Sequence, residues 1–176
     1  MGTGFMKLKI LVITCLLLSS SAFALEENKV TFEFYIPTLE VDVYHRPFVA
    51  AWIQSDATKE NIPLAVWYDD EEWLKDLRQW WRRIGRGKSP NYDHVTGATK
   101  KPGKYRLSWD GKSSERVAMP SGEYWIYIEA AREEGDREVL RQKFYFGGEV
   151  NATLRKKGRY ELGDLHIEVK VKGNKQ

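Results

Sequence analysis

Apolar and polar positions alternate with a two-residue period over two widely separated stretches of the chain. Val30, Phe32, Phe34 and Ile36 alternate with Thr31, Glu33 and Tyr35, and Leu165, Ile167, Val169 and Val171 alternate with His166, Glu168, Lys170 and Lys172. This period turns one side of an extended chain to a core and the other to water, so both stretches are expected as strands. Runs 48–54, 62–68, 104–109, 122–130, 138–146 and 149–155 also read as strands. Turn-forming residues separate them: Asp110-Gly111, Pro120-Ser121-Gly122, Gly147-Gly148 and Lys157-Gly158. About eight short strands at this spacing predict a two-sheet sandwich.

One segment changes period. Between Asp70 and Ile84 the apolar residues are Trp73, Leu74, Leu77, Trp80, Trp81 and Ile84, the spacing of one helix face. Asp69, Asp70, Glu71 and Glu72 crowd its start and Arg82 and Arg83 its end, which matches the helix dipole. Gly85 and Gly87 stop it. An amphipathic helix over about 70–84 is therefore expected to interrupt the strands, followed by a polar loop from Arg86 to Lys104. Long ordered loops in compact domains usually serve function.

The first 24 residues have the three zones of an export leader. Lys7 and Lys9 are positive, Ile10 to Leu18 is apolar, and Ala22-Phe23-Ala24 offers the small residues that a signal peptidase needs. The apolar run is too short to span a bilayer. Cleavage after Ala24 leaves residues 25–176 as one β domain and removes Cys15, the one cysteine. The mature chain is then without disulfide, thiolate ligand or cysteine nucleophile and folds by its core alone. The leader holds two lysines and no acid, so its removal takes the formal charge from +3 to +1. A balance so close to neutral argues against nucleic-acid binding. Seven tryptophans point either to heavy aromatic packing or to a planar ligand.

Within the polar loop stands Asp93-His94-Val95-Thr96-Gly97-Ala98-Thr99. This resembles the acceptor motif of FAD:protein FMN transferases, D-x-x-[ST]-G-A-[ST]. From average residue usage, its five fixed positions match by accident in roughly one chain in a thousand of this size. The resemblance implies that Thr99 receives FMN through a phosphoester, with Asp93, Thr96, Gly97 and Ala98 as the other fixed positions of the acceptor site. Asp93 would help the transferase recognise the loop, and Gly97 and Ala98 keep side chains clear so that the backbone can approach a foreign active site closely. A threonine hydroxyl is a weak nucleophile until a base activates it. The base and metal would belong to the transferase, so this chain need supply only an accessible acceptor. Lys100, Lys101, Arg82 and Arg83 are placed to balance an attached phosphodiester. Trp80, Trp81 and Tyr92 are the aromatic faces nearest in sequence for a flat flavin ring.

Plainer roles exist for the same residues. Thr96 to Thr99 fits an ordinary turn, Trp80 and Trp81 fit core anchors of the helix, and the basic cluster fits a solvated face. His45 and His94 have no second ligand at metal-binding spacing.

A second likeness covers Leu107-Ser108-Trp109-Asp110-Gly111-Lys112, Met119-Pro120-Ser121-Gly122-Glu123-Tyr124 and Ile126-Tyr127-Ile128-Glu129-Ala130. These resemble the W-D-G-(x)n-P-x-G-x-Y hairpin of immunoglobulin-like modules such as those of flagellar hook-capping proteins. Together with Arg46 to Ile53 and Leu77 to Arg82, the order of these segments resembles a family of predicted periplasmic proteins whose genes tend to accompany flavin transferases and PepSY-type membrane reductases. The resemblance implies an extracytoplasmic flavin electron carrier with FMN on Thr99, more a carrier than an enzyme. Its fold would be an immunoglobulin-like β-sandwich with one inserted helix. The competing readings are a cofactor-free periplasmic binding or assembly module, and a carbohydrate-binding module if a flat row of tryptophans faces solvent.

Overall fold

The computed structural model of this chain describes residues 28–87 and 92–171. The export leader expected over 1–24 lies outside the described residues, as does the 88–91 stretch of the polar loop. Two sheets face each other. One has the order β5-β1-β9-β8 and is built from β1 (Lys29–Ile36), β5 (Gly103–Trp109), β8 (Ala152–Lys156) and β9 (Leu165–Lys170). The other has the order β4-β3-β2-β6-β7 and is built from β2 (Phe48–Ser55), β3 (Asn61–Trp67), β4 (Thr96–Gly97), β6 (Gly122–Ala131) and β7 (Arg137–Phe146). The expected β-sandwich is therefore the fold. All pairs are antiparallel except β3 with the two-residue β4.

Alternation accounts for the four-stranded sheet. Val30, Phe32, Phe34 and Ile36 of β1 and Leu165, Ile167 and Val169 of β9 all enter the central core. Strand β2 differs, because every residue from Phe48 to Ile53 is buried. Val49, Ala51 and Ile53 face the core between the sheets, whereas Phe48, Ala50 and Trp52 face a second apolar cluster on the outer surface of the five-stranded sheet. A continuous apolar run is what a strand covered on both faces requires.

The cover is the helical segment, and its form departs from the single helix expected over 70–84. It comprises a 3-10 stretch (Glu71–Asp76), one α-turn (Arg78–Trp80) and a π-turn (Trp81–Gly85). The break falls at Leu77, whose backbone (φ −76°, ψ 66°) is not helical. Asp70 caps the first part by accepting from the Glu72 amide at 3.0 Å. The second part starts without a local cap; instead the fully buried Glu129 on β6 accepts from the amides of Gln79 (3.0 Å) and Trp80 (2.7 Å) and from Arg137 (2.6 Å). The break thus lets Leu74, Leu77 and Trp80 all reach the sheet while two orphan helix amides find a buried carboxylate.

The Asp110-Gly111 turn requires its glycine. Gly111 has φ +76°, and a Cβ there would lie 2.1 Å from the Phe146 ring. Tyr124 latches the next turn by donating from its hydroxyl to the Pro120 carbonyl at 2.7 Å. Among the described residues no helix is long and apolar enough to cross a membrane.

Candidate functional site

The Asp93–Thr99 motif runs along the β3 edge of the five-stranded sheet. A 3-10 turn (Asp93–Val95) leads into β4, where Thr96 lies beside Val66 and Gly97 beside Trp67. Several hydrogen bonds hold this path. The Tyr68 amide donates to the Gly97 carbonyl at 3.0 Å, and the Thr96 hydroxyl donates to the Asp93 carbonyl at 2.9 Å. Farther on, the Tyr105 hydroxyl donates to the Lys101 carbonyl at 2.6 Å. The polar loop is therefore pinned here to the sandwich edge, with a strand bridge that no periodicity in three or four residues could have announced.

Thr99 corrects one expectation. An exposed acceptor hydroxyl was expected, yet Thr99 is 6% exposed and donates its hydroxyl to Asp69 at 2.8 Å. Its hydrogen-bond partner and one chain neighbour reach solvent. Asp69 and the adjacent Ala98 are exposed. Asp93 and Thr96 are also exposed, and Gly97 is half-buried against the Trp67 indole. Four of the five motif positions thus share one strip of surface, with the hydroxyl tucked just beneath it.

The aromatic residues divide differently from their order in sequence. Trp80 is fully buried in the second cluster, with the Tyr92 ring edge-on at 4.9 Å and Trp81 tilted at 6.4 Å. Tyr92 is buried as well, and burial, with Tyr68, Glu71 and Asp93 adding, pushes its phenol up from the ordinary value. Trp80 and Tyr92 therefore spend their faces on packing under the sheet cover, and Trp81 alone of the three is half-exposed. The ring that lies against the motif is Trp67. Its partners are Phe34 (5.9 Å) and Tyr105 (5.2 Å), and the Lys100 ammonium sits 5.4 Å above it. Neither Trp67 nor Asp69 was singled out from the sequence. Trp67 read as the end of a strand and Asp69 as part of an acidic helix start, and only the tertiary path of the loop joins them to Thr99.

The cations separate too. Lys100 is half-buried over Trp67, and Lys101 and Arg82 are exposed. Arg83 is committed elsewhere: it donates to Gln79 at 2.7 Å and lies 5.0 Å over the Tyr127 ring. Of the seven tryptophans, Trp52, Trp67, Trp80 and Trp109 are buried and Trp73, Trp81 and Trp125 are half-buried, so most of their surface goes to packing.

The family model described as "Predicted periplasmic protein (DUF2271)" matches residues 29–164, a span that holds the helical segment, the motif and eight of the nine strands among the described residues. The chain belongs to the DUF2271 family. No curated protein and no solved structure matches it. The DUF2271 description agrees with the location that the expected leader implies, and the protein is periplasmic.

Proposed function

We propose that this DUF2271 protein carries FMN joined to Thr99 through a phosphoester and relays electrons outside the cytoplasm. Its partners would be an FAD:protein FMN transferase, which loads it, and a PepSY-type membrane reductase, which supplies electrons. The observation that carries the reading is the Asp93–Thr99 motif itself, laid along one surface strip with its terminal hydroxyl bonded to an exposed carboxylate.

The residues present suit the group. In the loading step Thr99 Oγ1 forms a bond to the FMN phosphorus of FAD, the P–O–P bond breaks, and AMP leaves with its electron pair. The hydroxyl proton passes to the base of the transferase. Loading requires the hydrogen bond from the Thr99 hydroxyl to Asp69 to break. Lys100 and Lys101 then stand beside the phosphodiester with compensating charge. Half-exposed Trp81 is the aromatic surface on hand, while Trp67 is packed into the central core beneath the motif. The flavin, when attached, supplies the redox chemistry; the chain supplies attachment, orientation and charge.

Co-expression of the exported chain with the transferase tests this directly. A fluorescent band on a denaturing gel for the wild type and none for Thr99→Ala supports the proposal. A dark wild-type band from active transferase overturns it and leaves the cofactor-free binding module.

A further inference from the structure

The open edge of the sandwich, where β3 lies against β5, holds a cavity of about 800 Å³. Small-molecule sites typically enclose about 300–1,000 Å³. One side is apolar, formed by Ile62, Pro63, Leu64 and Val95. The other is cationic, formed by Lys29, Lys112, Arg116 and Lys170. Among the described residues of the lining Asp110 is the one carboxylate, and Arg116 (2.9 Å) and Lys112 (3.8 Å) already engage it.

Lys29 and Lys170 carry the argument. They are directly opposite one another in the β1–β9 register. Like charges at such positions destabilise a sheet. Neither makes an ion pair or hydrogen bond with a side chain among the described residues, and Glu168, opposite Thr31, pairs with neither. Elsewhere on β1 the charge is compensated, since Glu33 binds both Lys104 and Arg106 at 3.0 Å. Two facing lysines that line this cavity with no acid paired to them among the described residues are a cost that a bound anion removes. Pro63 lacks the amide hydrogen that an added strand would use at this edge, which favours a small ligand over strand pairing.

We propose that this cavity binds a small organic anion with an apolar body. Its carboxylate or phosphate sits at Lys29 and Lys170, and its body lies against Pro63, Leu64 and Val95. The motif lends His94 and Val95 to the lining, but Thr99 does not line the cavity, so the two readings can be tested separately.

Calorimetric titration of the mature chain at low ionic strength tests it with three probes. These are 2-naphthoate, acetate (the charge without the body) and 2-naphthylmethylammonium (the body with opposite charge). Naphthoate should bind and the other two should bind far more weakly. Lys29→Gln and Lys170→Gln should each weaken naphthoate by about two- to five-fold, and the double variant by more. Each single variant should also raise the ligand-free melting temperature while shrinking the rise that naphthoate produces. This opposed pair of shifts separates a binding role from a merely structural one. Thr99→Ala should bind naphthoate as the wild type does. Equal binding of the two naphthyl probes, undiminished binding by the double variant, or no naphthoate binding overturns the proposal.

Discussion

Thr99 and Asp69 lie thirty positions apart and meet through a single 2.8 Å hydrogen bond, which sets what nearby substitutions should do. Asp69→Asn keeps an acceptor oxygen for the hydroxyl but removes a negative charge from the path of an incoming pyrophosphate. With the base supplied by the transferase, this variant should be labelled at least as fast as the wild type in a timed fluorescence assay. Complete loss of labelling would instead make Asp69 the base, supplied by the acceptor chain itself. Gly97 allows a cleaner separation of folding from recognition. A Cβ there would stand 3.4 Å from the Trp67 ring, an ordinary contact, so Gly97→Ala should melt at the wild-type temperature. Its labelling should nevertheless fall, because the added methyl obstructs close approach of the backbone to a foreign active site. Equal labelling would show that the glycine matters to neither process.

Glu129 is where the helical segment can be unseated with one atom. Fully buried, it accepts two backbone amides and the Arg137 guanidinium. Glu129→Gln turns one acceptor oxygen into a donor facing donors, so it should cost about 2–3 kcal/mol in urea denaturation. An unchanged midpoint would mean that the apolar cluster alone holds the cover in place. This carboxylate also shows why the strands were legible in the sequence and the helical segment only partly so. Alternation in β1 and β9 and the continuous apolar run of β2 follow directly from which faces are buried, and each strand came out within a few residues of its observed span. The helix face was legible as well, since Leu74, Leu77 and Trp80 do pack inward. Its break at Leu77 was not, because the partner of the second half's amides is a residue fifty positions away on another strand. The bridge at Thr96–Gly97 was hidden for a related reason: two residues carry no period, and the pairing depends wholly on where β3 lies. In the candidate site, the motif was readable as a local string, whereas Asp69 and Trp67 enter only through that pairing. Trp80 and Tyr92 were near in sequence but turned to the second core.

The sandwich as a whole is held by burial, and its surface carboxylates shape its response to acid. Hydrogen bonds from Lys143 and then Lys59 hold the Asp56 carboxyl well below its ordinary value of 3.8, and Lys104 and Arg106 hold Glu33 below 4.5. Both groups are depressed in the folded protein, so their contribution is complete above those ordinary values and is lost as pH falls through the folded ones. The melting temperature should stay level from neutrality to about pH 5 and decline below it. The Asp56→Asn, Glu33→Gln double variant should decline less steeply, and an identical slope would assign the acid sensitivity to other groups. One edge of the same sandwich carries both the Asp93–Thr99 motif, beside β3, and the cavity between β3 and β5, to which the motif contributes His94 and Val95. The claim on which the functional account rests is the covalent group on Thr99, and intact mass measures it most directly. Mature protein taken from cells with an active transferase should be heavier than its sequence by one FMN less one water, with the increment on the peptide that contains Thr99. A mass equal to the unmodified chain, or an increment on another residue, contradicts the account.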